Sequence, residues 1–435
     1  MPEATQSGNI DSSDQNANNT KTNNDESSLM FASVCTQYGD AKEVFEIRKN
    51  IPRPTIAQPD QVLVRTYYTT VNPADCKQRS GNLKLVAKQH DFPFVLGQDF
   101  VGRVVEIGSK SKLRPGQVVM GSTAPRNSCS AEYLVCFSNE CVCVHLDEPK
   151  DETEDDHFTR LTKIEDLEET KALAAAACPT AYCTAWKGLF DIGMLPTPDR
   201  YQSKAIDRKT NNANPNLAVA KSISKSILIV GASGSVGSAA VQLAVGVATK
   251  IDTVVAICGT NNVEYVQSLR NSDTRVFAVD YKQPIYEKKI SEKNNGQPFD
   301  LILDCVGGDD YYYKLHPLLN FDNPKAKYVT CVGPVLHGGS EPITYKTLLS
   351  TVCTLVPRLM GNYFLFGRRN SRYQIYLGFD TSPLQQIRMA LNEGRIVPRI
   401  DPESPLPLEE LGRAHEMVET GHSSGKVLVK VQLSR

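Results

Sequence analysis

The chain contains 435 residues, of which 40% are hydrophobic and 22% charged, and its formal net charge is −1. This length suits two domains with tails, and the balanced charge argues against a nucleic-acid-binding surface. No apolar run reaches membrane-spanning length, so the sequence predicts no transmembrane helix. The 12 cysteines are scattered through apolar segments rather than spaced as a disulfide framework, which predicts reduced thiols in an intracellular protein.

Residues 1–29 are rich in Asn, Ser, Asp and Thr and contain few large apolar side chains. Such a stretch cannot bury enough apolar surface to order itself, so it predicts a disordered N-terminal tail. The tail is acidic rather than Arg-rich and has no hydrophobic segment, which argues against a mitochondrial presequence and against a secretory signal. We therefore expect a cytoplasmic protein.

Short apolar segments separated by Gly and Pro occupy the first third of the chain. The strand candidates are 61–68, 102–107, 117–120 and 131–135. Many short strands with closely spaced turns are typical of a small β-barrel. The acidic stretch 147–169 that follows is interpreted as a solvated loop. Residues 170–189 are expected to form a helix, because their first part is mostly alanine.

From residue 225 onwards, strands alternate with helices. A polar, Asn-rich segment, 196–225, precedes this region and is interpreted as a surface insertion. The alternation predicts a doubly wound parallel sheet of the Rossmann type. An aromatic segment, 362–367, fits pocket lining and core packing equally well. The strand candidates are 226–230, 253–258, 275–279, 299–304 and 327–332.

The most informative local motif is a glycine turn after the strand candidate 226–230. Its three glycines lead directly into an apolar helical pattern. This arrangement points backbone N–H groups and the positive end of a helix dipole at one spot, which suits a pyrophosphate. A nucleotide site is therefore predicted, although another α/β protein can also carry a glycine-rich turn. The residues assigned to it are Gly231, Ala232, Ser233, Gly234, Ser235, Val236 and Gly237.

Further motifs occur in a fixed order before and after this turn. They are Val71-Asn-Pro-Ala-Asp75, Gly97-Gln-Asp99, Arg114-Pro-Gly116, Ser130-Ala-Glu-Tyr-Leu-Val135, Cys178-Pro-Thr-Ala-Tyr182, Val279-Asp-Tyr281, Asp304-Cys-Val-Gly-Gly308 and Gly421-His-Ser-Ser-Gly-Lys-Val-Leu428. Together they resemble the medium-chain dehydrogenase/reductase superfamily, over about residues 31–433. Within it the chain looks most similar to the zinc-free quinone oxidoreductase branch, near the reticulon-interacting oxidoreductases.

The resemblance implies an α/β fold with two domains. A GroES-like β-barrel domain is expected from 30–187 and 368–435, and a Rossmann doubly wound parallel sheet domain from 188–367. The cofactor is expected in the cleft between them. Members of this branch use NADPH to reduce quinones or activated alkenes and carbonyls. They are often homodimers joined through the edge of the Rossmann sheet.

A catalytic zinc is not expected. Zinc-dependent relatives carry a His where this chain has Gln98, and their early Cys ligand falls near Asn72. A catalytic zinc needs about three protein ligands, and an amide is a poor substitute. The cysteines at 129, 136, 141 and 143 do not have the spacing of a structural zinc lobe. Packing on a strand explains them better.

NADPH is the expected cofactor, and NADH is the less favoured one. Rossmann sites that prefer NAD place an acid at the end of the second strand, whereas this chain has Thr260 and Asn261 there. Both can donate to a 2′-phosphate. Tyr281 matches a phosphate-contacting position of related reductases, or is an ordinary strand-end tyrosine. The lysine that some quinone reductases carry after this strand is missing from 262–264.

With no metal expected, hydrogen-bond donors must polarise the substrate. Asn72 is the first candidate, although an Asn before a Pro also fits a plain turn former. Asp75 and Gln98 are expected to brace it, and Tyr67 or Tyr182 is expected to donate a proton. Thr184 matches a position beside the nicotinamide. The ends of the later strands are expected to contact the cofactor, through Val306, Gly307, Val332 and Gly333.

These expectations combine into an NADPH-dependent, zinc-independent oxidoreductase. Its substrate is expected to be a small electrophile, a quinone or an α,β-unsaturated carbonyl, reduced by hydride transfer. The alternative is a nucleotide-binding adaptor of the same fold with little turnover, acting in protein or membrane trafficking. The acidic tail and the two long insertions favour this alternative.

Overall fold

The computed structural model describes residues 28–86, 91–145, 169–201, 225–334, 341–360, 372–421 and 423–433. Nearly all of the tail 1–29 lies outside these ranges, as do the acidic stretch apart from Glu169, most of the polar insertion, and the segment 362–367. The expectations for these segments therefore stay predictions. The first strand begins at Leu29.

Two sheets form the first domain. The smaller has three strands, in the order β2-β1-β4, from β1 (Leu29–Cys35), β2 (Phe45–Pro52) and β4 (Phe94–Val95). The larger has seven strands, which are β3 (Gln61–Thr70), β5 (Asp99–Ile107), β6 (Val118–Ser122), β7 (Tyr133–Phe137), β8 (Cys141–Cys143), β15 (Leu406–Pro407) and β16 (Leu428–Lys430). Their order is β15-β16-β3-β5-β6-β8, with β7 also pairing β3.

The long strand β3 joins the two ends of the chain. Its second half pairs with β16, with Thr70 opposite Leu428. Its other side pairs with β5, with Thr69 opposite Phe100. The C-terminal strand therefore completes the barrel, as the resemblance implies.

The second domain is a six-stranded parallel sheet. Its strands are β9 (Lys225–Val230), β10 (Ile251–Cys258), β11 (Arg275–Asp280), β12 (Leu301–Asp304), β13 (Lys327–Thr330) and β14 (Tyr373–Ile375). The order β11-β10-β9-β12-β13-β14 is that of a Rossmann fold, with the strand order reversing between β9 and β12. The α/β class and both domain types are thus confirmed.

The predicted end of the Rossmann domain at residue 367 is wrong. β14 pairs in parallel with β13, with Val329 opposite Gln374, so the sheet extends past that boundary. The strand is only three residues long, too short for a clear period-two pattern, which is why the sequence does not reveal it.

Helices cover both faces of this sheet and link the domains. They are α1 (Pro73–Ser80), α2 (Glu169–Ala177), α3 (Pro179–Trp186), α4 (Ser235–Gly246), α5 (Val263–Ser268), α6 (Tyr286–Lys293), α7 (Asp309–Leu315), α8 (Tyr345–Met360), α9 (Leu384–Asn392) and α10 (Leu411–Glu419). The helix expected over 170–189 is divided, because Pro179 has no N–H and starts a new helix at its first position.

One hydrophobic core crosses the domain boundary. Val101 and Met120 of the barrel belong to the same buried cluster as Ile227 and Leu243 of the Rossmann domain. The two domains are therefore packed against each other through apolar contact. Among the residues that the structure describes, no helix combines the length and apolar character needed to cross a membrane.

Candidate active site

The glycine turn follows β9 directly, and two of its positions have no room for a side chain. Gly231 has a φ of +77°, and a Cβ there would lie 2.6 Å from Cγ2 of Val306. A Cβ on Gly237 would lie 2.0 Å from the carbonyl oxygen of Gly231. The start of α4 thus packs against the turn at a distance that only glycine allows.

The N-terminus of α4 is free to bind an anion. Gly234 is the N-cap residue, no side chain caps the helix, and no acidic residue lies in its first turn. The hydrogen-bond ladder begins with the N–H of Ser238 donating to the carbonyl of Gly234, at 2.8 Å. The preceding N–H groups have no partner within a helix. Together with the helix dipole they suit a pyrophosphate.

A buried aspartate shapes the loop after β12. Asp304 Oδ1 accepts hydrogen bonds from the N–H groups of Val306 and Gly307, both at 2.9 Å. Its Oδ2 accepts one from the hydroxyl of Tyr328, at 2.9 Å. Burial raises the pKa of this carboxyl. The aspartate therefore sets the conformation of two residues that the sequence assigns to cofactor contact.

A threonine does the same for the loop after β13. Thr330 Oγ1 accepts hydrogen bonds from the N–H groups of Val332, at 3.2 Å, and Gly333, at 3.1 Å. The N–H of Gly308 donates to the carbonyl of Gly333, at 2.9 Å. The two loops are thereby joined, beside the point where the strand order reverses. Ligands of Rossmann sheets bind at that point.

An acidic residue, Asp280, does lie near the end of β10, but it belongs to the neighbouring strand β11. Asp280 ends β11 and pairs in register with Cys258. The Thr260 hydroxyl donates to Asp280 Oδ2, at 2.7 Å. Hydrogen bonds, first from the Lys282 N–H and then from Thr260, lower the pKa of Asp280. The Thr260 hydroxyl hydrogen is thus committed to Asp280, which corrects the expectation that it donates to a 2′-phosphate.

The other two residues assigned to this region are accessible. Asn261 is exposed, and Tyr281 is 43% exposed. The N–H of Tyr281 donates to the carbonyl of Cys258, at 3.2 Å. Both side chains can therefore reach a ligand at the end of β10.

A buried polar cluster lies where β3, β5 and β16 meet. The Asn72 amide donates to Asp99 Oδ2, at 3.0 Å, and its Oδ1 accepts a hydrogen bond from the Lys426 ammonium. That ammonium also lies 3.3 Å from Asp99 Oδ2. Asn72 is thus held in one orientation by an anion and a cation.

Two threonines fix the carboxylate of this cluster. Thr70 Oγ1 donates to Asp99 Oδ2, at 3.0 Å, and Thr180 Oγ1 donates to Asp99 Oδ1, at 2.5 Å. The sequence analysis missed Asp99, Thr180 and Lys426 as partners of Asn72. Asp99 and Lys426 do occur in the motifs that carry the resemblance, but nothing local to either shows that they meet.

The two residues expected to brace Asn72 do so unequally. Asp75 Oδ2 accepts a hydrogen bond from the backbone N–H of Asn72, at 2.8 Å. Burial raises the pKa of Asp75 to about 7. Gln98 is buried. Its backbone carbonyl accepts hydrogen bonds from the N–H of Thr123, at 2.8 Å, and from the Cys129 thiol, at 3.1 Å. The support expected from Gln98 comes instead from the adjacent Asp99.

Tyr182 is not placed to donate a proton to a substrate. Its side chain is 2% exposed, and its hydroxyl donates to Gln242 Oε1, at 3.1 Å. Burial also raises the pKa of this hydroxyl well above its ordinary value. The expected catalytic role is therefore corrected to packing between α3 and α4. Thr184, two residues further along α3, is half-buried, and its backbone carbonyl accepts a hydrogen bond from the Tyr376 hydroxyl.

Lys77 is a lysine that the sequence does not single out. It lies in α1, the helix capped by Asn72, and is half-buried. Burial lowers the pKa of its ammonium. Its electrostatic interaction with Cys331, the residue that follows β13, places α1 near the carboxyl end of that strand.

The side chains of the cluster do not fit a zinc ion. Where the structure describes the chain, no group of three or more His, Cys, Asp or Glu side chains is arranged to hold a metal. The Lys426 ammonium already neutralises Asp99 and would repel a second cation. In the barrel core, the Cys136 and Cys141 thiols lie 3.8 Å apart and interact with each other.

A Rossmann sheet with a glycine turn before a helix, packed against a GroES-like barrel, is typical of nucleotide-dependent oxidoreductases. Residues 58–145 match the model of the alcohol dehydrogenase GroES-like domain, and residues 274–429 match that of the zinc-binding dehydrogenases. The chain belongs to the medium-chain dehydrogenase/reductase superfamily, as the sequence motifs indicate.

Named relatives agree with this family. The human NAD(P)H oxidoreductase RTN4IP1, mitochondrial, is 28% identical over 420 residues, covering 93% of this chain and 90% of the relative. The 2-methylene-furan-3-one reductase of Solanum lycopersicum is 27% identical over 414 residues, covering 92% and 79%. The quinone oxidoreductase structure from Coxiella burnetii superimposes with a TM-score of 0.62 at 23% identity, covering 93% and 100%.

These comparisons establish that the protein is an oxidoreductase that uses a nicotinamide cofactor. Members of its branch reduce small molecules, as the names of its relatives state. The choice between NADPH and NADH, the substrate and the individual roles of the site residues are taken up below.

Proposed function

We propose that the protein transfers a hydride from NADPH to a quinone or an α,β-unsaturated carbonyl without zinc. The observation that carries this proposal is the position of Lys77. A half-buried ammonium on α1, the helix capped by Asn72, would act as an electrophilic group between the two domains. The chemistry requires such a group, because negative charge develops on the substrate oxygen.

The substrate class draws support from the relatives. Their names include a 2-methylene-furan-3-one reductase and a trans-enoyl reductase of Aspergillus terreus. Both names describe reduction of a conjugated double bond. A quinone has the same electronic pattern, an alkene conjugated to a carbonyl.

The bound cofactor would supply the hydride, and the protein would supply position and charge. The N-terminus of α4 would bind the pyrophosphate, and the joined loops at Val306 and Val332 would enclose the nicotinamide end. During the reduction, negative charge would develop on the carbonyl oxygen of the substrate. The Lys77 ammonium would stabilise that oxygen and donate its proton to it.

The Asn72 cluster would act mainly by positioning. Asn72 is 3% exposed and uses its oxygen and one amide hydrogen within the cluster, so it would fix the start of α1, the helix that carries Lys77. Because Asp99 and Lys426 neutralise each other, the cluster would do this without adding net charge nearby. Zinc has no part in the proposal, since the donor set does not suit it.

The test is steady-state oxidation of NADPH with 9,10-phenanthrenequinone and with an enone, comparing the wild type, K77M and the control K84M. Lys84 is exposed, so K84M removes a similar charge away from the cleft. We expect K77M to lower kcat by about 100-fold, the scale of one acid catalyst, with nucleotide affinity unchanged. In the wild type, kcat should fall as the pH rises through the lowered pKa of Lys77.

Three outcomes would contradict the proposal. A wild-type protein that binds NADPH but reduces neither acceptor would favour the nucleotide-binding adaptor. Equal activity of K77M and K84M at every pH would remove Lys77 from the mechanism. Added zinc that raises kcat severalfold would contradict the zinc-independent assignment.

We also propose a homodimer formed through β14 and a cytoplasmic location. β14 is the last strand of the Rossmann sheet as described, so one of its edges can pair with a second copy. Light scattering at a monomer mass would exclude this dimer. The relatives named above include mitochondrial proteins, so fractionation of cells that express the full chain decides between cytoplasm and mitochondria.

A further inference from the structure

An arginine from the barrel contacts the end of the second Rossmann strand. Arg399 lies between α9 and α10, and its Nη1 donates to Asn262 Oδ1, at 3.0 Å. Its guanidinium carbon lies 3.9 Å from the centre of the Tyr265 ring. The side chain is half-buried. These contacts hold a cation beside the turn that follows β10.

That turn is where the adenosine ribose of a Rossmann cofactor lies. The N–H of Asn262 donates to the carbonyl of Gly259, at 2.9 Å, and closes the turn. α5 starts directly afterwards. A ribose that follows a pyrophosphate at the N-terminus of α4 would therefore extend toward Asn262 and Arg399.

Asp280 and Arg399 both lie near this turn, but they differ in how much of their hydrogen-bonding capacity is already used. Asp280 accepts hydrogen bonds from the Lys282 N–H, at 2.9 Å, from Thr260, at 2.7 Å, and from the Gln283 amide, at 3.4 Å. Little of its accepting capacity remains for a ribose hydroxyl. Arg399, in contrast, forms no ion pair with any carboxylate in the described ranges, and Asn262 accepts only one of its N–H groups.

We propose that Arg399 binds the 2′-phosphate of NADPH and sets the preference for NADPH over NADH. This inference rests on the proposed function. Arg399 would take the place of the lysine that is absent from 262–264. A guanidinium suits this role because it binds phosphate oxygens through paired, charge-assisted hydrogen bonds. Stacking on Tyr265 and the bond to Asn262 orient the group in advance, which reduces the entropy cost of binding.

The position of Arg399 has a second consequence. Its carbonyl accepts a hydrogen bond from the N–H of Lys426, at 2.8 Å, and the N–H of nearby Val397 donates to Gln242 of α4, at 2.6 Å. The backbone of the arginine is therefore attached to Lys426, a member of the Asn72 cluster. Recognition of the 2′-phosphate would draw on both domains, and not on the Rossmann sheet alone.

The test uses two nucleotides that differ only by the 2′-phosphate. Adenosine 2′,5′-bisphosphate and 5′-AMP are titrated by calorimetry into the wild type, R399M, R399K and the control R395M. Arg395 lies in the same segment, and its side chain pairs with Glu393 at the surface. R395M therefore makes the same change in net charge away from the turn.

We expect R399M to weaken binding of the bisphosphate by about 10- to 100-fold, the range for a charged hydrogen bond. Binding of 5′-AMP should change by less than about twofold, and R395M should match the wild type. R399K should retain part of the discrimination, because it keeps the charge. In turnover, R399M should raise KM for NADPH and leave KM for NADH unchanged.

Other results separate the inference from the proposed function. An R399M protein that loses both nucleotides equally, or keeps the wild-type ratio, would overturn the role of Arg399 while leaving the reductase proposal intact. A wild-type protein that binds both nucleotides equally would also overturn the role of Arg399 and leave the reductase proposal intact. A wild-type protein that binds neither would overturn the proposed function itself.

Discussion

The Lys426 ammonium lies 3.3 Å from the Asp99 carboxylate, and both side chains are buried. Asp99 begins β5, and Lys426 lies two residues before β16; these two strands flank β3 on opposite sides. The pair therefore exists only when the C-terminal segment has paired with β3. This relationship ties the orientation of Asn72 to the assembly of the barrel domain.

Removing the cation should be costly, because it leaves a buried carboxylate without its partner. We expect K426M to lower the free energy of unfolding by about 3–5 kcal/mol. Lys430 ends β16, which begins two residues after Lys426, and is exposed. K430M is therefore the matched control and should change the free energy of unfolding by less than about 0.5 kcal/mol. Urea denaturation measures both. The double variant D99N/K426M should recover part of the loss, and no recovery would contradict the pairing.

Local features of this fold are predictable, and distant pairings are not. The glycine turn at 231–237 and the strand candidates from 226 to 332 follow from turn residues and apolar periodicity, which act within a few residues. The members of the Asn72 cluster come from β3, β5, α3 and the segment before β16, and no local pattern relates them. Tyr182 shows the same limit, since its environment is set by α4.

Gly237 offers a sharp test of the phosphate turn. A methyl group there would lie 2.0 Å from the Gly231 carbonyl oxygen, so G237A must displace α4 from the turn. We expect a loss of about 1–3 kcal/mol in unfolding free energy and at least about tenfold weaker nucleotide binding. Gly378 is exposed and has nothing within 4 Å of an added Cβ. G378A should therefore match the wild type, and nucleotide binding by G237A at wild-type affinity would contradict the packing.

Asp75 should make stability depend on pH. Its pKa is raised to about 7 by burial, so between about pH 4 and pH 7 the folded chain keeps a proton that the unfolded chain has lost. The stabilisation linked to that proton is fully present below the unfolded pKa and is lost as the pH rises through the folded pKa. This group should contribute up to about 4 kcal/mol of that change.

The variant D75N removes the titration while keeping an acceptor for the Asn72 N–H. Its unfolding free energy should fall less steeply between about pH 4 and pH 7 than that of the wild type. Asp252 is exposed on β10, so D252N is the control and should keep the wild-type slope. Equal slopes for D75N and the wild type would show that Asp75 titrates normally.

The hydroxyl of Tyr328 offers a way to loosen the nicotinamide end of the site without touching its lining. In Y328F, Asp304 Oδ2 loses a hydrogen bond of 2.9 Å in a fully buried position, which should cost about 1–3 kcal/mol. Because Asp304 also sets the backbone of Val306 and Gly307, KM for the cofactor should rise more than kcat falls. Tyr345 is 78% exposed, so Y345F is the control for loss of a phenolic hydroxyl. A Y328F protein with reduced stability but unchanged cofactor KM would show that Asp304 supports the fold and not the cofactor loop.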